Sequence, residues 1–226
     1  MKIKTKFDYG KPVVVGIATF PGREEFVQQV IEKLEKQADK IILYDNGDQP
    51  IDICDNGKFY GLNCLYEDVY YFTCDDDLDY PDTYVADMID AIKRTGTIVT
   101  HHGRILTEDA KSYYFGHLTY RCLGKVYQER PIDVAGTGVT AWDTSYFNPL
   151  GLLYSKDLKM ADLIFSLEAA KQKKIITILT HDVGYIKQLP VDLNRSICWT
   201  EQRKCQRQTE LADLILKLNN ENDTTS

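Results

Sequence analysis

Tyr70-Tyr71-Phe72-Thr73-Cys74-Asp75-Asp76-Asp77-Leu78-Asp79-Tyr80-Pro81 is the stretch from which the rest of the chain is read. An apolar, aromatic run with the pattern of a buried strand passes directly into three consecutive carboxylates. Adjacent carboxylates roughly 5 Å apart repel by about 3 kcal/mol at an effective dielectric of about 20. Such a run therefore calls for open water or a compensating cation. In extended backbone Asp75 and Asp77 point to one side, about 7 Å apart, and Asp76 points away. That pair suits Mg²⁺ or Mn²⁺, which take one or two carboxylates together with substrate phosphate oxygens. The plainer alternative is a solvated acidic turn, with Asp79 capping the helix that follows.

Working outward toward the N-terminus, Val13-Val14-Val15-Gly16-Ile17 is β-branched and continuous, the pattern of a buried parallel strand. A turn at 19–23 leads into a helix expected from Arg23 to Gln37, with Phe26, Val27, Val30, Ile31 and Leu34 at spacings of three and four. Lys40 to Tyr44 reads as a second strand, closed by the turn signal Asp45-Asn46-Gly47. The stretch 48–68 is polar and irregular, and Val69 to Cys74 is the strand that carries the carboxylates.

Toward the C-terminus, Pro81 stands where a first helical turn tolerates it, and Val85, Met88, Ile89 and Ile92 form the buried stripe of that helix. Thr97 to Thr100 is a further strand. The β-α-β-α-β order predicts an α/β fold with a mostly parallel central sheet flanked by helices. Beyond it, Lys111 to Arg130 reads as mixed loop and edge strand, and Val139 to Trp142 as a strand. Met160 to Gln172 reads as a helix and Ile175 to Leu179 as the last clear strand. Leu211, Leu214, Ile215 and Leu218 mark a C-terminal helix, with 219–226 as a frayed tail. No repeat or linker divides the chain. One domain is expected, with a regular α/β part over about 12–100 and a less regular part over about 101–218.

The position of the acidic run matters as much as its composition. Ligands of open α/β sheets bind at the carboxyl ends of the strands. Arg23, Asp45, Asp75 to Asp77 and His181 each follow an expected strand, so the topology gathers them along one edge.

Composition limits the partners. A net charge of -7 disfavours a phosphate backbone or an anionic membrane as default ligand, so a phosphate ligand needs a metal or a local basic group. A possible local basic strip is Arg195, Arg203, Lys204 and Arg207. The basic N-terminus is followed by no apolar signal region, and the longest apolar runs are too short to span a bilayer. A soluble cytoplasmic protein (host cytoplasm if viral) is expected. Cys54, Cys64, Cys74, Cys122, Cys198 and Cys205 include no CxxC pair, so free thiols in a reducing compartment are expected rather than a disulfide framework.

These stretches together resemble glycosyltransferase family 2 and its viral and bacterial relatives, of the GT-A fold. Residues 15–23, then Ile41-Ile42-Leu43-Tyr44-Asp45-Asn46-Gly47, then Tyr71 to Asp77 carry the resemblance, the third matching the family's DxD motif. It covers about 12–100 well and about 130–182 more loosely. The resemblance implies a transferase that moves a sugar from a nucleoside-diphosphate sugar, UDP-linked by family default, onto a hydroxyl. The acceptor is left open among a glycan, a protein, a lipid-linked sugar and a modified nucleobase.

The same resemblance implies roles. Thr19, Phe20 and Arg23 would line the base and diphosphate pocket, and Asp45 would bond the base or ribose. Asp75, with Asp76 beside it, would lie against the ribose or donor sugar, and Asp77 would ligate Mn²⁺ or Mg²⁺. Gly136-Thr137-Gly138, with Trp142 near it, would face the donor sugar and acceptor; the alternative is a tight turn before a strand. Asp162 would be the general base of an inverting reaction; where relatives carry Glu-Asp this chain has Ala161-Asp162, and the alternative is a carboxylate on the helix dipole. His181 would complete the metal shell with Asp182 orienting its ring, against a purely structural histidine. His101 and His102 are assigned to the acceptor side or to structure.

Two rival classes share part of this pattern. A nucleotidyltransferase that makes nucleotide sugars has the same sheet and acidic site, but it opens with a Gly-rich loop followed by Arg and Lys, where this chain has only Gly16 and Gly22. A non-catalytic glycan-binding module would use the 15 tyrosines for sugar stacking.

Overall fold

Strand β1 (Val13–Thr19) is buried along its whole length, which requires cover on both faces of the sheet. That cover, in a computed structural model describing residues 3–192 and 206–223, comes from two hydrophobic layers. Val13, Val15 and Ile17 face one layer, with Val27, Val30 and Leu34 of helix α1 (Glu24–Leu34) and Val85, Met88 and Ile89 of helix α2 (Tyr84–Thr95). Val14 faces the other, with Phe59, Phe165 and Ile215. The continuous apolar runs in the sequence reflect this two-sided burial.

β1 pairs in parallel with β2 (Lys40–Asp45) on one side and with β3 (Tyr70–Cys74) on the other. A 3-10 segment, Cys54–Cys64, links the second to the third and lies across the sheet. Gly16 permits that crossing, because a Cβ there would strike the carbonyl of Lys58; the Tyr71 hydroxyl donates to the same carbonyl at 2.8 Å. After β3 come β4 (Leu78–Asp79), α2 and β5 (Ile98–Thr100). Gly96, at φ +66, ends α2 in the left-handed conformation.

The second half adds β6 (Gly103–Ile105), β7 (Leu118–Tyr120), β8 (Arg130–Ile132), β9 (Val134–Ala135), β10 (Val139–Asp143), α3 (Ala161–Lys171), β11 (Ile176–Ile178), β12 (Lys187–Gln188) and α4 (Gln206–Asp223). The main sheet has the order β2-β1-β3-β10-β5-β11-β8. β10 runs antiparallel to both of its neighbours and β8 antiparallel to β11; the other five strands share one direction. The molecule is thus a mixed α/β fold with a largely parallel central sheet flanked by helices. A second sheet, β7-β6-β9, stands beside it.

The reversed β10 departs from the uniform parallel run suggested by the first half. Its direction brings Gly136-Thr137-Gly138, which precede it, to the edge where β3 ends: the Asp75 N–H donates to the Gly138 carbonyl at 3.3 Å. The C-terminal segment also differs from expectation. Helix α4 continues to Asp223 rather than fraying at 219, and the Asn219 amide donates to Asp133 at 2.7 Å. Cys54, Cys64, Cys74 and Cys122 form no disulfide. Cys198, Cys205, Arg195, Arg203 and Lys204 lie outside the described residues, while Arg207 pairs with Asp157 and Glu210. Among the described residues no helix is long and apolar enough to cross a membrane.

Candidate functional site

β3 ends at Cys74 and the chain turns at Asp76–Asp77. Asp76 is therefore not set apart from Asp77 as extended backbone would have it. The turn swings Asp76 and Asp77 onto one guanidinium: Arg23 Nη1 lies 3.2 Å from Asp76 Oδ1 and 3.0 Å from Asp77 Oδ2. Thr19 adds a hydroxyl donor to Asp76 Oδ2 at 2.7 Å. The Arg23 guanidinium also stacks 5.0 Å from the centre of the Phe20 ring. Asp75 pairs with the buried Lys58. Gly138 packs so closely on the Asp75 carboxylate that a Cβ would collide with it.

All of these groups line one cleft of about 950 Å³. Thr19, Phe20, Arg23, Asp75, Asp76, Asp77, Gly136, Thr137 and Asp162 meet there. Asp162 lies in the first turn of α3, and its Oδ1 accepts from both the backbone N–H and the hydroxyl of Thr137 at 2.7 Å. Thr137 is fixed in turn by the start of the reversed strand. Thr137 thus holds one oxygen of Asp162 through two hydrogen bonds, and Oδ2 makes none among the described residues.

Three of the expected site residues lie elsewhere. Asp45 does not line the cleft; its carboxylate accepts from Gly47 N–H in a local turn at 2.9 Å, and the neighbouring Asn46 lines the cleft instead. Trp142 is a correction. Alternation along β10 places Val139 and Ala141 in one layer and Trp142 in the other, where its fully buried ring packs on Tyr71, Phe147 and Phe165. His181 lies outside the cleft wall: its Nε2 is 3.2 Å from the Arg121 carbonyl, and its Nδ1 is 3.1 Å from both the Leu179 carbonyl and His101 Nδ1. Asp182 pairs with Lys125 rather than orienting that ring.

The cleft also holds residues that the sequence reading passed over. Lys58 and Asp55 come from the stretch 48–68, which carries no periodic signal. Asp55 Oδ2 accepts from Ala161 N–H at 3.0 Å, at the start of α3, while Oδ1 is buried without a hydrogen-bond partner. Burial raises the Asp55 pKa to about 6, against the lowering effect of Lys58. Burial pulls the other way on Lys58, but Asp75, Asp55 and Asp162 outweigh it and keep the ammonium charged. Asp76 is likewise raised to about 6 by burial, with Thr19 and Arg23 opposing. Burial and then the Asp75 charge raise Asp77.

His102, Arg104, Tyr113, Tyr114, Arg121 and Gln208 also line the cleft. The Cys122 N–H donates to His102 Nδ1 at 3.4 Å. Burial lowers the His102 pKa, against the raising effect of Asp162. His101, behind it, is driven down to about 3 by burial and by His181.

Among the described residues no group of three or more His, Cys, Asp or Glu side chains is placed to hold a metal ion. A two-carboxylate site is a different arrangement. Asp75 Oδ2 and Asp77 Oδ1 make no hydrogen bond or ion pair among the described residues, and the Asp75 charge raises the Asp77 pKa. Two mutually repelling carboxylates with an open oxygen each fit a hard cation that draws its remaining ligands from water and phosphate.

No protein-family model matches the chain, and no curated protein matches it. Among solved structures, the crystal structure of A197 from STIV is similar at 10% identity and a TM-score of 0.46, over 80% of this chain and 86% of that one.

Proposed function

We propose that this protein is a glycosyltransferase that moves a sugar from a nucleoside-diphosphate sugar to a hydroxyl acceptor. One observation carries the reading: the acidic run, Arg23 and the doubly anchored Asp162 open into the same cleft. Phe20 and Thr19 sit where a base and ribose would be held, and Arg23 lies beside the position of the diphosphate. Asp75 and Asp77 are the residues that would hold Mn²⁺ or Mg²⁺, which supplies charge neutralisation to the departing diphosphate.

Asp162 is the base. Thr137 immobilises one carboxylate oxygen, so the other is presented to an incoming hydroxyl without a rotamer search. It takes the hydroxyl proton as the acceptor oxygen bonds to the anomeric carbon. The bond from that carbon to the diphosphate oxygen breaks, and the electron pair leaves with the nucleoside diphosphate. Attack opposite the leaving group inverts the anomeric centre.

The test is a thermal-shift screen of nucleoside diphosphates and nucleotide sugars with and without Mn²⁺. Stabilisation that depends on the metal, and that Asp77→Ala abolishes, is the expected result. Silence toward every nucleoside diphosphate would overturn the reading. Pyrophosphate release from a nucleoside triphosphate would favour a nucleotidyltransferase.

A further inference from the structure

The cleft is asymmetric in charge pairing. Arg23 and Lys58 are each matched to carboxylates. Arg104 and Arg121, from β6 and the end of β7, line the same cleft and make no ion pair among the described residues. Both line the same cleft as His102, whose pKa both charges lower. Arg104 is held in place, donating from Nη1 to the Tyr113 carbonyl and stacking 4.3 Å from the centre of the Tyr113 ring. Arg121 follows β7, and its carbonyl is braced by His181.

A second, independent observation points to a ligand. Gln208, on the first turn of α4, is 2% exposed and lines the cleft, yet among the described residues neither its amide nitrogen nor its amide oxygen has a hydrogen-bond partner. A buried amide left unpaired on both atoms is destabilising, because it has given up water for nothing. A ligand with both an acceptor and a donor would relieve it, and a sugar bearing an oxyanion has both.

From these features we infer that this side of the cleft binds an anionic acceptor, a hydroxyl-bearing ring that carries a carboxylate or phosphate. Arg104 and Arg121 clamp the oxyanion, since the guanidinium fork matches such groups. Gln208 bonds a hydroxyl or the oxyanion edge. The interaction orients the ring so that another hydroxyl reaches Asp162. The proposal rests on the transferase reading only in naming the ligand an acceptor.

The experiment is calorimetric titration of the full chain with methyl β-glucuronide, glucose 6-phosphate and methyl β-glucoside. Each is run alone and again with saturating UDP and Mn²⁺. At least one anionic probe is expected to bind tenfold or more tighter than the neutral glucoside, with or without UDP. The preferred probe identifies the oxyanion as carboxylate or phosphate. Arg121→Gln, an exposed site where folding is not at risk, should weaken it tenfold or more, and Arg104→Lys should weaken it although the charge is kept.

Equal binding of the neutral probe would overturn the proposal. So would displacement of the anionic probe by UDP, which would place these arginines on the donor diphosphate. If the anionic probe binds in an arginine-dependent way while UDP does not bind, the anion site stands and the transferase reading falls.

Discussion

On the side of the cleft formed by β1 and β3, both cations are matched to carboxylates: Arg23 is shared by Asp76 and Asp77, and Lys58 is set on Asp75. On the side formed by β6, β7 and α4, two arginines make no ion pair and a buried amide makes no hydrogen bond among the described residues. The first region is preorganised, and its geometry survives without a ligand because buried ions hold one another. The second holds a buried amide, Gln208, and two arginines whose charges are matched by no carboxylate among the described residues. In a chain of net charge -7, unpaired arginines facing a cleft are the less expected feature, and they carry more information about what enters it.

The comparison breaks most sharply at the base between the two regions. Asp162→Asn keeps an oxygen for Thr137 and removes the proton acceptor, so turnover should fall by about 10²–10⁴-fold with nucleoside diphosphate binding unchanged. Single-turnover transfer beside a binding isotherm separates the two, and undiminished transfer would remove Asp162 from the role of base.

The next largest effect concerns the self-answered region. Lys58→Met leaves Asp75 and Asp55 without their cation. Breaking a buried pair costs about 3–5 kcal/mol, and the partial exposure of Asp75 reduces this to about 2–3 kcal/mol. Urea denaturation measures it, and a loss within 0.5 kcal/mol would show the pair to be ornamental to the fold.

Asp55 gives a pH signature. Its folded pKa, about 6, lies above the ordinary carboxylate value of 3.8, so between those values the folded state binds more protons than the unfolded one. Stability therefore falls as pH rises from about 4 to beyond 6. Asp55→Asn should flatten that slope, by up to roughly 3 kcal/mol across the window. An unchanged slope in denaturation midpoints from pH 4 to 7.5 would contradict the assignment.

The smallest expected effect is at Thr19. Thr19→Val removes one hydroxyl donor to Asp76, with a cost of about 1 kcal/mol. Because that bond lowers the Asp76 pKa, its loss should move the carboxylate further up, readable by carboxyl-carbon NMR titration. A downward movement would show that the bond does not stabilise the ionised form.

How much of the site could be read in advance varied with the strength of the local pattern. The elements from Val13 to Thr100 were legible because strands buried on both faces leave unbroken apolar runs and the helices show their stripe. Asp162 was legible as a carboxylate in the first turn of a helix. Trp142 was misplaced because sequence order put it near the Gly136 loop, whereas strand alternation turns it into the core. His181 was placed by its position after a strand, but its ring nitrogens had nearer partners in Arg121, Leu179 and His101. Lys58, Arg104, Arg121 and Gln208 gave no signal, since each stands in a segment with no periodicity or on a distant helix.

The sequence alone determined that a largely parallel sheet would form and that three carboxylates would stand at the end of its third strand. Apolar periodicity and the covalent run of aspartates are local properties, and local properties survive in one dimension. Tertiary structure decided which cation answers which carboxylate, that a reversed strand brings Thr137 onto Asp162, and that two arginines face the cleft unpaired. Those outcomes depend on chain segments far apart in sequence, and electrostatic pairing is fixed only when folding sets the distances between them.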